Sequence, residues 1–173
     1  MVVARPAQQV SRQPVGRLVL FAVLALVAVA ALVGTGVLAP RISAASARDD
    51  RRAEVLHVAR QQAINFTTLD YRHLNRDLAR VLAGSTGDFR KQFQAGVKDL
   101  TTLFATNKVV STGAVLDAGL VSSDSDSARV LVVADSTVVN TASPKGDKRH
   151  SRIQLDLVRH DGRWLVSDLT FVG

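Results

Sequence analysis

Residues 153–171 read IQLDLVRHDGRWLVSDLTF. Ile153, Leu155 and Leu157 alternate with Gln154 and Asp156, and Leu165, Leu169 and Phe171 return after Asp161-Gly162. Alternation sends successive side chains to opposite faces of a strand, and Asp-Gly suits the positive φ angles of a tight hairpin turn. The spacing predicts two antiparallel strands with one apolar face. Further back, Val109 to Val121 and Ala128 to Asn140 are rich in Val and flank the polar loop Ser122-Ser123-Asp124-Ser125-Asp126. They predict another hairpin, with Ser143-Pro144-Lys145-Gly146-Asp147 as the loop between the two. The stretch from Ala128 to Asn140 is apolar on both faces, which places it centrally.

Before Asn107 the period is helical. Phe89, Phe93, Val97, Leu100, Leu103 and Phe104 form the most regular stripe of the chain, and Ser85 with Asp88 offers a capping box for it. A shorter helix buries Tyr71, Leu74, Leu78, Val81 and Leu82, with Thr67 and Asp70 as its capping box, and stops near Ala83-Gly84. A charged helix from about Ser46 carries Val55, Leu56, Ala59, Ala63 and Phe66 on one face. Helices first and strands after them predict an α+β domain with an antiparallel sheet.

Leu18 to Ala39, LVLFAVLALVAVAALVGTGVLA, has no charge, amide or proline over 22 residues. As a helix it rises about 33 Å, enough for a hydrocarbon core of about 30 Å. It exceeds the length of a signal h-region, and Pro40 blocks cleavage after Val37-Leu38-Ala39, so an uncleaved signal anchor is expected. The expected organisation is a basic cytoplasmic tail at 1–17, a transmembrane helix at 18–39, a linker at 40–47 and an extracytoplasmic domain at 48–173. A short basic tail is usually retained in the cytoplasm, while domains translocate largely regardless of charge. The expected location is the cell membrane, single-pass, with the C-terminal domain outside.

The chain has no Cys, which excludes disulfides and thiolate metal sites. Its net charge of +7 concentrates near the membrane, since Arg5, Arg12, Arg17 and Arg41 supply four of the charges. The rest is a mixed surface with few aromatics for base stacking, so no nucleic acid is expected as a partner. His57, His73, His150 and His160 are scattered without metal-ligand spacing, and no phosphate loop, dinucleotide fingerprint or nucleophile elbow occurs. Neither a metal nor a cofactor is expected.

Asp135 lies inside a strand between Val133 and Thr137. Turned inward, it would have a raised pKa and act as a base, with Asp70, Tyr71 and Asp168 for company. The plainer account has Asp70 capping a helix while Asp135 and Asp168 occupy a wet sheet face, because no spacing fixes a nucleophile, base and orienter. Lys145, Lys148, Arg149, His150 and Arg152 cluster around one loop, as solubilising charge or as a contact for anionic lipid or an acidic partner.

Three stretches carry a resemblance: Asn65-Phe66-Thr67-Thr68-Leu69-Asp70-Tyr71, Val81-Leu82-Ala83-Gly84-Ser85-Thr86-Gly87-Asp88-Phe89, and Gly162-Arg163-Trp164-Leu165-Val166-Ser167-Asp168-Leu169. With the order of tail, span, helices and strands, the chain resembles the actinobacterial Mce-associated (mammalian cell entry-associated) membrane proteins. The resemblance implies a nuclear transport factor 2-like roll of about three helices on a curved four-stranded antiparallel sheet. It further implies a non-enzymatic accessory protein that binds and stabilises an Mce-type lipid importer. The implied partners are the membrane, the importer's substrate-binding proteins and permease subunits, and lipid. Asn65, Phe66, Thr67, Asp70, Tyr71, Trp164 and Asp168 become structural or interaction positions. The same roll hosts isomerases and cyclases, so a lipid-binding or lipid-modifying pocket, with Asp135 or Asp168 inside it, is the alternative.

Overall fold

Val55, Ala59 and Ala63 recur every four residues along one helical face, and each is fully buried. They belong to helix α1 (46–67), the first element of the computed structural model, which describes residues 46–173. The expected tail at 1–17, the span at 18–39 and the linker up to residue 45 lie outside the described residues. Among the described residues no helix is long and apolar enough to cross a membrane.

After α1 come strand β1 (Leu69–Asp70), helices α2 (Leu74–Ala83) and α3 (Gly87–Asn107), and strands β2 (Val110–Ser123), β3 (Ser127–Val139), β4 (Asp147–His160) and β5 (Arg163–Phe171). The strands form one sheet in the order β1-β2-β3-β4-β5, and every neighbouring pair is antiparallel. The α+β class and both hairpins are as the alternation predicts. Asp161 (φ 49°) and Gly162 (φ 77°) supply the two left-handed residues of the β4–β5 turn. Asp124 organises the β2–β3 turn by accepting from the backbone N–H groups of Asp126 and Ser127, which hold its pKa below the usual carboxylate value. Register shifts in β2, between Val115 and Asp117 and between Leu120 and Ser122, add residues on one strand only and curl the sheet.

Two corrections concern the edge of that sheet. It has five strands, not four, because Leu69 and Asp70 pair with Ser111 and Val110. The Thr67–Asp70 capping box does not form. The Thr67 hydroxyl instead donates back to the Ala63 carbonyl at 2.7 Å, and the Tyr71 N–H donates to the Val109 carbonyl at 3.0 Å. The sheet edge thus takes the backbone that a helix would have used, and α2 begins at Leu74, leaving Tyr71 before it. The Ser85–Asp88 box is also absent. Ser85 Oγ donates to the Val81 carbonyl at 2.6 Å, while Ser85 bridges Val166 of β5.

Ala128, Val130, Val132 and Ala134 of β3 and Ile153, Leu155 and Leu157 of β4 face α1, and together they make the main core. Only one face of β3 is buried: Leu131 and Val133, on its other face, are 41% and 39% exposed. β3 is central within the plane of the sheet, but no layer covers that side among the described residues. A second cluster joins Leu69, Leu74, Leu78 and Phe104, with Tyr71, Phe93, Val97, Leu100 and Val109 packed partly against it.

Candidate functional site: an aromatic trough beneath α3

Leu74, Leu78 and Val81 hold α2 to the fold, and α3 follows with its stripe turned toward the end of α1 and β5. Only Phe104 of α3 is buried, and Leu103 is 55% exposed. The Phe66 ring, at the end of α1, lies 6.0 Å from Phe93 and 6.0 Å from Phe171, centroid to centroid, and 6.5 Å from Phe89. These tilted aromatic pairs wall an open trough of about 540 Å³ lined by Phe66, Leu69, Phe89, Gln92, Phe93, Gly96, Leu100, Phe104, Leu169 and Phe171. Its wall offers apolar surface and one amide, Gln92. A second hollow of about 400 Å³ shares Phe66, Leu69 and Phe104 with it and runs on to Ser111, Val138, Asn140 and Arg149. Both volumes fall in the usual range for small-molecule sites, about 300–1,000 Å³.

The resembling stretches converge beside this trough, where they act as a joint. Gly84 stands so close to Gln62 that an added Cβ would lie 1.2 Å from its Nε2, and its carbonyl accepts from the Val166 N–H at 2.9 Å. Asn65 donates to Gln62 Oε1 and accepts from Gln61 Nε2, both at 3.1 Å. Trp164 is buried in the main core, and its indole N–H has no acceptor among the described residues. Thr67 lies over Gly113, where a Cβ would meet Thr67 Oγ1 at 1.9 Å, and the Thr67 carbonyl accepts from Ser111 Oγ at 2.6 Å. Asp70 holds the backbone N–H of Arg72 at 2.9 Å and pairs with its guanidinium, which lowers its pKa to about 2. Tyr71 packs against the second cluster, with the Arg72 guanidinium 6.0 Å from its ring centroid. Of these stretches, Phe66, Leu69, Phe89 and Leu169 line the trough.

The two carboxylates considered for a pocket lie elsewhere. Asp135 pairs with His150 across β3 and β4, at 2.7 Å from Oδ1 to Nδ1, on the face opposite Ala134. Asp168 is exposed, stands across from Asp156, and accepts from Thr170 Oγ1 at 3.0 Å. Neither lines the trough. Among the described residues no group of three His, Cys, Asp or Glu side chains could hold a metal ion.

Two features escape the pattern of the sequence. Asp77 is buried, accepts from the Asp70 N–H at 3.0 Å, and meets Arg80 at 3.0 Å. Its place between Leu74 and Leu78 on the buried stripe was the available signal. Gly96 sits in the middle of α3, where glycine weakens a helix by about 0.5–1 kcal/mol, and no atom lies within 4 Å of a Cβ built there. A glycine beside an aromatic stripe, with no turn to make, is the signal for the trough.

A family model for uncharacterized Rv1363c/MT1408-like proteins matches residues 17–173. The uncharacterized protein Rv1363c of Mycobacterium tuberculosis is 37% identical over 128 residues, covering 74% of this chain and 49% of that protein. The chain thus spans about half the length of the curated relative it matches. Among solved structures, an IcmL-like type IV secretion system protein of Legionella pneumophila aligns with TM-score 0.58 at 14% identity, over 70% of this chain and 91% of that one. The periplasmic domain of DotI aligns with TM-score 0.58 at 15% identity, over 68% and 92%. These likenesses show the fold, a nuclear transport factor 2-like α+β roll with a curled antiparallel sheet. By sequence, the chain belongs to the Rv1363c/MT1408-like family.

Proposed function

We propose that this protein is a non-enzymatic accessory protein, anchored by residues 18–39 in the cell membrane with its roll outside. In this reading it binds and stabilises an Mce-type lipid importer of the actinobacterial envelope through the importer's substrate-binding proteins and permease subunits. The observation that supports it most is the trough, whose lining is apolar and aromatic and carries no side chain that titrates. Such a surface suits binding better than proton transfer, which needs a positioned acid or base. Anchoring adds to this, because a tethered domain meets membrane partners at high effective concentration.

Deleting the gene should lower both lipid uptake and the steady-state amount of importer subunits. Genes carrying Asp135→Asn or Asp168→Asn should restore both. Unchanged uptake and subunit levels after deletion would remove the importer assignment. Stable Asp→Asn proteins that fail to restore uptake would favour a lipid-modifying enzyme. An alkaline phosphatase fused after Gly173 should be active, and an inactive fusion would overturn the topology. The same trough favours a second reading, a lipid-binding pocket protein, because its size suits a small apolar ligand.

A further inference from the structure

We infer that the trough and the hollow beside it form one site for a single-chain anionic amphiphile, its acyl chain along the Phe66–Phe93 wall and its acidic head at Arg149. This rests on the lipid-binding reading and names its ligand. Phe66, Leu69 and Phe104 belong to both hollows, so the apolar wall continues from one into the other. The far end is polar: Asn107, Ser111, Asn140 and Arg149 line it, and Arg149 is the sole charged side chain there among the described residues. The register explains how Arg149 reaches that end. It pairs with Ser136, two positions on from the Ala134–Ser151 pair and four from the Val132–Ile153 pair, so it shares the face of buried Ile153. Its neighbours Lys148 and His150 therefore point to the other face. No carboxylate among the described residues forms an ion pair with Arg149.

A guanidinium at the mouth of an apolar channel complements a carboxylate or phosphate attached to a hydrocarbon chain. A neutral lipid would leave that charge unused, and a soluble anion would leave the phenyl wall bare. Gly96 gives the same answer from the opposite end. Its backbone needs no positive φ, and helix propensity favours any other common residue there except proline. What glycine does at 96 is leave the trough open, since a side chain would project into free space along its wall.

The test uses the full chain in phosphatidylcholine nanodiscs with three photoreactive probes: palmitic acid, lysophosphatidic acid and palmitic acid methyl ester. Peptides of α3 should be labelled by at least one anionic probe, and the stronger of the two identifies carboxylate or phosphate as the preferred head. The ester should label them about tenfold less, the order expected from losing one charge-assisted hydrogen bond. Arg149→Gln should bring the anionic probes down to the level of the ester. Gly96→Phe should suppress labelling of these peptides by all three, with the circular dichroism spectrum unchanged. Equal labelling by acids and ester, or an Arg149→Gln protein that still prefers the acids, overturns the assignment of the head group while the lipid-binding reading stands. Absence of α3 labelling by every probe overturns both.

Discussion

Helices α1 and α3 both carry an apolar stripe, yet the fold treats them oppositely. Val55, Ala59 and Ala63 of α1 are fully buried, whereas α3, with bulkier residues on its stripe, buries only Phe104. The reason lies in side-chain size at the contact. Alanines let α1 settle into the curl of β3 and β4, where Ile153, Leu155 and Leu157 supply the bulk. The rings of Phe89 and Phe93 meet each other and Phe66, which in turn meets Phe171 of β5, so this stripe packs edgewise on rings and stays partly open. The small-residue helix builds the core, and the aromatic one builds a cavity wall.

That contrast can be broken from either side, using urea unfolding of residues 42–173, a fragment expected to melt cooperatively. The largest effect is expected beneath α1. Leu155→Ala empties a fully buried site facing the helix and should lower stability by about 2–5 kcal/mol. Phe93→Ala should lose only about 1–2 kcal/mol, because its ring is partly solvated and leaves a wider trough rather than a closed void. Equal losses at the two sites would mean that the α3 stripe is fully enclosed in solution.

Gly96→Ala should sharpen the contrast by raising stability about 0.5–1 kcal/mol, since a methyl group there meets nothing and the helix gains propensity. A loss of stability would place another group against α3. The smallest effect concerns the joint between α1 and α2. The folded-state pKa of Asp70 is about 2, below the ordinary 3.8, through its pair with Arg72. A depressed carboxylate pKa contributes stability above pH 3.8 that is lost as pH falls toward 2. Arg72→Gln should therefore flatten the acid limb of unfolding between these values and leave neutral pH nearly unchanged, because an exposed pair is screened by solvent. An acid limb identical to wild type would place its origin in another carboxylate.

The joint also shows where reading from sequence stops. Thr67 and Asp70 satisfy the spacing of a capping box, and so do Ser85 and Asp88. Both boxes fail for one reason: a distant strand competes for the same backbone. Val109 and β2 draw 69–71 into the sheet, and Val166 of β5 draws 84–86 alongside it. By contrast, Asp161-Gly162 behaves as its sequence demands, because a two-residue turn between strands has no such competitor. Among the candidate site residues, Phe66 does reach the trough, and Asp135 and Asp168 do not. Their faces depend on the strand register, which shifts at the bulges of β2 and at Asp156–Leu157.

Alternation, helical period and turn residues are local, so the chain alone determined the order of its helices and strands, the antiparallel hairpins and the α+β class. Which stripe would be covered depended on elements far apart in the chain. Only the tertiary structure decided that α1 fills the curl of the sheet, that Leu69 and Asp70 join it as a fifth strand, and that α3 leaves most of its stripe only partly buried. The physical reason is that burial is shared: a side chain is enclosed only when its partner's shape leaves it no room, and Ala59 and Phe93 met different partners.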